Sequence, residues 1–206
     1  MDAIIKFVPQ LASLFQIELF IISIALFITG LILSVVVVKK QFRWLLWYPE
    51  WMRRVLKEFL ARNPGFFKLF MVIFLINTFS LGFNVLSGFG VVLPGVFAIL
   101  IGIHVGVIAY QEGGWKAMIM MFLAPHVVFE LPAAWLSLAL GFRLGLEILT
   151  SGGDAQLVFW QSVGIYCRII VPLLWIAALL EAALISVSLK RSQHSSSFPQ
   201  QPLEPQ

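Results

Sequence analysis

Long apolar runs, separated by short polar or glycine-bearing breaks, organise this chain from end to end. A helix that crosses a bilayer needs about 20 consecutive apolar residues. Five stretches meet that length: residues 17–38, 66–86, 91–110, about 117–140, and 157–189. Lys39 and Lys40 stop the first run, and Asn63, Pro64 and Gly65 open the second. Gly88 and Gly90 part the second from the third, residues 111–116 part the third from the fourth, and residues 150–154 interrupt the chain before the last. The last run is too long for one simple span. Arg168 and Pro172 are expected to divide it into an interfacial turn and a membrane helix that begins near residue 169. The pattern therefore predicts an all-α polytopic membrane fold of about five transmembrane helices, in a single embedded domain over residues 1–191. The tail, residues 192–206, is rich in Ser, Gln and Pro and is expected to be disordered. The first run is expected to stay as a span: its apolar stretch is long enough to cross, and the segment before it carries Asp2. No repeat of 20–50 residues is visible, nor an inverted pair of broken segments of the kind found in transporters.

Composition agrees with this reading. Of the 206 residues, 60% are hydrophobic and 12% charged, against about 45–50% and about 25% in soluble domains. That excess of apolar side chain has to face lipid. The formal charge of +4 is spread between apolar segments, which excludes a nucleic-acid-binding face. Cys167 is the one cysteine, so no intrachain disulfide forms.

The position of the basic residues sets the orientation. Lys39, Lys40, Arg43, Arg53, Arg54, Lys57, Arg62 and Lys68 flank or fill the loop 39–65, against Glu50 and Glu58 alone. The positive-inside rule makes that loop cytoplasmic. Five spans then put the amino terminus outside and the carboxyl terminus in the cytoplasm, with Lys116, Lys190 and Arg191 on the inner side. Within the same loop, Trp44, Trp47, Tyr48 and Trp51 precede Arg53, Arg54 and Lys57. That spacing suits an amphipathic helix lying in the headgroup layer, either as a binding surface for anionic lipid or a partner, or as an anchor that holds two spans in register.

Ionisable side chains at membrane depth are costly and need a partner or a purpose. His104, His126, Glu130 and Glu181 qualify, Asn77 and Asn84 add neutral polar groups, and Arg143 and Arg168 lie nearer the outer boundary. Counting about 1.5 Å per residue from the inner ends puts His104, Glu181, Asn77 and His126 at about 9–15 Å depth and Glu130 at about 20 Å. These depths allow one cluster, with Arg143 and Arg168 as cationic partners for Glu130. Three uses remain open: a network that fixes helix packing, a proton or ion pathway, and a metal site of His104, His126, Glu130 and Glu181 holding zinc for hydrolysis. No other cofactor is expected. Pro125 and Pro132 bracket the His126–Glu130 turn, where freed backbone carbonyls either open a polar pocket or simply bend the helix. Gly102 and Gly106, and Gly141 and Gly145, have the small-xxx-small spacing of close helix approach.

Pro125-His126, then Phe129-Glu130-Leu131-Pro132-Ala133, then Gly141-Phe142-Arg143-Leu144-Gly145, resemble the stage II sporulation protein M family over roughly residues 66–189. Val127 stands where the family pattern has glycine. The family motif falls on Pro125, His126, Glu130, Pro132, Arg143 and Gly145. The resemblance implies a polytopic scaffold: in endospore formers the family's namesake partners two cell-wall hydrolases during engulfment, and similar proteins occur in bacteria and archaea that make no spores. The expectation is a multi-pass scaffold or complex subunit in the plasma membrane of a bacterium or archaeon, in contact with the lipid bilayer, with other membrane or envelope proteins, and with copies of itself. An intramembrane metal-dependent hydrolase and a small-solute transporter or channel are the alternatives.

Overall fold

The computed structural model describes residues 16–150 and 154–196, with side-chain surroundings through Leu189. Residues 1–15, 151–153 and 197–206 lie outside the described residues, and with them most of the tail expected to be disordered. The regular structure described is helical throughout: α1 (Ile17–Lys40), α2 (Arg43–Ala61), α3 (Phe66–Leu86), a 3-10 turn (Ser87–Gly90), α4 (Leu93–Phe122), α5 (Val127–Thr150), α6 (Ala155–Ile165), a π turn (Tyr166–Ile170) and α7 (Val171–Ser196). Five helical stretches are long and apolar enough to cross a membrane: Ile17–Lys40, Phe66–Gly90, Leu93–Phe122, Val127–Thr150 and Ala155–Leu189. The all-α polytopic fold is therefore as the hydrophobic pattern predicts.

The most enclosed of the five is α5, which touches α1, α3, α4, α6 and α7. Around it, Leu81 and Val85 of α3 meet Ala133, Leu136 and Leu140 of α5 and Ile165, Ile170 and Leu174 of the last span in one buried cluster. Towards the basic end, Leu69 and Phe70 of α3 pack on Ala178 and Ala182 of α7, with Phe59 and Leu60 of α2 against them. The α1–α4 pair is the tightest, because both helices present glycine at the crossing. A Cβ on Gly30 would fall onto the Ile99 carbonyl oxygen, and one on Gly102 onto the Phe27 carbonyl oxygen. Glycine removes the side chain that would hold the two backbones apart.

The helices α3 and α5 run parallel and in register. Asn84 Nδ2 donates to Ser137 Oγ at 2.9 Å, and the Asn77 amide bonds to Glu130 one heptad below on each helix. Above them, a Cβ on Gly88 would strike the Gly141 carbonyl oxygen, and a Cβ on Gly141 the Asn84 carbonyl oxygen.

The aromatic and basic segment forms the helix α2, Arg43–Ala61. It buries Leu46 and Pro49, with Leu46 in a cluster with Val37 of α1 and Ile103 and Val107 of α4. Trp44 (85%) and Trp47 (67%) are largely exposed, and Trp47 stacks on Trp51 at 6.5 Å.

Two expectations about span boundaries are corrected. The fourth run, 117–140, is not one helix. The chain turns back at Gly113 and Gly114, the latter at φ +62°, where glycine alone adopts the left-handed region freely. Residues 115–122, the last part of α4, then return along its first part: Met118 joins Leu31, Val35 and Ala109 in a buried cluster, and Met121 reaches the cluster of Phe27, Val127 and Leu131 deeper in the bundle. The chain breaks over residues 123–126 and resumes as α5. In the last run, Arg168 and Pro172 do not divide the helix into an interfacial turn and a span. Proline lacks the amide that would bond back one turn, and the chain absorbs the defect in a single π turn, Tyr166–Ile170, within one continuous rod.

Candidate functional site

The interruption of the fourth span lies beside a group of polar side chains. Pro125 has no amide to donate, and the turn is closed by local bonds from Ala124 N to Met121 O, Val127 N to Ala124 O, and Glu130 N to His126 O. Non-helical backbone at membrane depth is tolerated where it is buried in protein or lines a polar cavity. His126 stands in the last position of the break, and Glu130 lies in the first turn of α5.

Glu181 of α7 joins them. One ligand atom from each of His126, Glu130 and Glu181 lies within 4.8 Å of the other two. From α3, the Asn77 amide bonds to the Glu130 carboxylate. His126 Nδ1 is buried without a hydrogen-bond partner. Four stretches of chain thus converge: the break, α5, α7 and α3. Two carboxylates and an imidazole at this spacing can share a proton, bind a cation, or hold three helices together by mutual hydrogen bonding.

The remaining polar residues singled out in the sequence fall elsewhere. His104 does not belong to the His126–Glu130–Glu181 group. Its ring meets Tyr48 of α2 at 4.9 Å between centroids, and its Nδ1 is buried without a partner. The count along the chain gave no direction: α4 has its main contacts with α1, α2 and α5, and His104 sits towards α2. Arg143 is not the counter-ion of Glu130. It lies near the other end of α5, where Nη2 donates to Gln161 Oε1 of α6 at 2.7 Å. Arg168 occupies the π turn. Gly145 backs onto the Val91 carbonyl oxygen, where a Cβ would come within 3.0 Å. The motif therefore splits in two: Pro125, His126, Glu130 and Pro132 build the broken span, and Arg143 and Gly145 fasten its far end.

Several contacts carry no advance signal in the sequence. Tyr166 of the π turn donates its hydroxyl to the Thr78 carbonyl oxygen, Ser137 receives Asn84, and Gln161 receives Arg143. Each is a single polar residue in an apolar run, and only the helix azimuth reveals its partner. Trp44, Trp47, Trp51, Arg53, Arg54 and Lys57 all lie on α2.

The family model described as Stage II sporulation protein M matches residues 23–184. No curated protein and no solved structure matches the chain.

Proposed function

The chain belongs to the stage II sporulation protein M family, and on that premise we propose that it is a multi-pass membrane scaffold or complex subunit that organises membrane or envelope partners. The observation that carries this reading is how the interior polar groups are used. They bond from helix to helix, Asn84 to Ser137, Asn77 to Glu130, Arg143 to Gln161 and Tyr166 to Thr78, while glycines bring backbones together at the α1–α4 and α3–α5 crossings. Such bonds lock a bundle into one shape, and a fixed shape is what a docking platform needs. The basic loop faces the cytoplasm of a bacterium or archaeon, with the amino terminus outside and the carboxyl terminus inside.

The test is recovery of the assembly. Extracted from its own membranes in mild detergent after cross-linking, the chain should migrate in a complex with a second membrane or envelope protein. Glu130→Gln should reduce that recovery. Recovery of the chain alone, or only with copies of itself, contradicts the scaffold.

A second reading, a carrier or channel for a small solute, draws on one observation. The fourth span is interrupted at depth beside Glu130 and Glu181, and interrupted helices mark binding sites in transporters. Solute uptake by proteoliposomes that is lost in Glu181→Gln would favour it over the scaffold.

A further inference from the structure

We propose that His126, Glu130 and Glu181 form a binding site for a divalent first-row transition metal ion at the break in the fourth span.

The geometry comes first. Tetrahedral ligands at about 2.1 Å from an ion lie about 3.4 Å from one another. The three ligand atoms are already within 4.8 Å of each other, so each pair has to approach by about 1.4 Å at most to close the shell. The donor set is one imidazole nitrogen and two carboxylate oxygens. Imidazole favours zinc or iron over magnesium and calcium, whose ligands are oxygens, while the two carboxylates also suit manganese. Three protein ligands leave a further position for water or another group.

Electrostatics points the same way. Two carboxylates side by side at membrane depth repel each other in a medium that screens poorly. A divalent ion between them compensates both charges at once. His126 Nδ1 is buried without a hydrogen-bond partner, so the imidazole is not committed to another group at that atom. Asn77 holds the Glu130 carboxylate from outside the ligand set, as outer-shell partners of metal ligands do. The break supplies His126, the first turn of α5 supplies Glu130, and α7 supplies Glu181. The ion would therefore fasten the last span to the interrupted one, at the point where the backbone ladder is open.

The experiment uses the full chain purified in detergent with a tag free of histidine. After loading with zinc, manganese, cobalt or anaerobic ferrous iron and dialysis, bound metal is counted by mass spectrometry, and the cobalt form is read by its visible absorption. The expected result is about one ion per chain, with the cobalt spectrum showing nitrogen and oxygen ligands. Glu181→Gln and His126→Gln should lose the ion. Asn77→Ala should weaken binding by about 10–100-fold, and His104→Ala should leave it unchanged. Each variant is checked for a monodisperse folded state. Should Glu181→Gln or His126→Gln fail to fold, the wild-type stoichiometry and the Asn77→Ala titration decide. Wild-type protein that stays far below one ion per chain with all four metals overturns the proposal. So does retention of metal at wild-type affinity in folded Glu181→Gln.

Discussion

The α1–α4 crossing makes a prediction whose sign is not obvious in advance. Replacing glycine by alanine inside a helix ordinarily favours the helix by up to about 1 kcal/mol. At Gly102 the added methyl falls onto the Phe27 carbonyl oxygen and lies 2.9 Å from the Leu31 amide nitrogen. These are backbone atoms of the facing helix, so no side chain can swing away. Non-bonded heavy atoms prefer about 3.5–4.0 Å, and the two helices must separate by about an ångström, which forfeits a large part of each dispersion contact along the crossing. Overpacking of this kind costs about 1–3 kcal/mol, which outweighs the propensity gain. Gly164 is the internal control: it is helical, yet a Cβ there meets nothing within 4 Å. Gly102→Ala is therefore expected to lose about 1–2 kcal/mol, while Gly164→Ala is neutral or gains up to about 1 kcal/mol. Reversible unfolding in mixed detergent micelles, followed by circular dichroism, measures both. A Gly102→Ala protein as stable as the parent, beside a destabilised Gly164→Ala, would refute the close backbone crossing.

Other consequences are smaller or more local. The Asn84–Ser137 bond should show a double-mutant coupling of about 0.6 kcal/mol, and no more than about 1.7 kcal/mol, the range for hydrogen bonds between membrane helices; zero coupling would mean that α3 and α5 are not in the stated register. Gly114→Ala places a side chain at φ +62° and ψ −147° and should cost about 1–3 kcal/mol, read in the same unfolding assay, whereas Gly65→Ala at an open position should not. Cysteines introduced at Trp44 and at Leu149 should be labelled from opposite sides of sealed membranes, Trp44 from the cytoplasmic side; labelling of both from one side contradicts the orientation drawn from the basic loop.

Much of the fold is legible in the sequence because length and hydropathy carry the physics of a spanning helix directly. The basic and aromatic residues of 43–57 likewise announce α2. The break over 123–126 is harder to see. Residues 117–140 read as one apolar run, and a proline in such a run signals either a bend or a stop. What resolves it is tertiary: Met118 and Met121 find their packing back along α1 and α4. The polar cluster is half legible. His126 and Glu130 fall one turn apart on a common face, and a count of residues puts Glu181 and Asn77 within reach of them. The same count gives His104 a suitable depth, but depth says nothing of azimuth, and that residue lies against Tyr48 instead. Arg143 shows the converse limit, since charge alone suggests Glu130 as its partner, while position along α5 gives it Gln161.

The interrupted fourth span carries the candidate site, so the most direct measurement is the position of Met118. In a Cys167→Ser background, Leu31→Cys and Met118→Cys should form a disulfide on mild oxidation, because both residues belong to one buried cluster with Val35 and Ala109. A straight helix through Gly113 and Gly114 would instead carry Met118 about 13 Å past Ala109, beyond reach of α1. Efficient cross-linking is the predicted result; its absence, with a folded protein and both thiols reactive, would contradict the account.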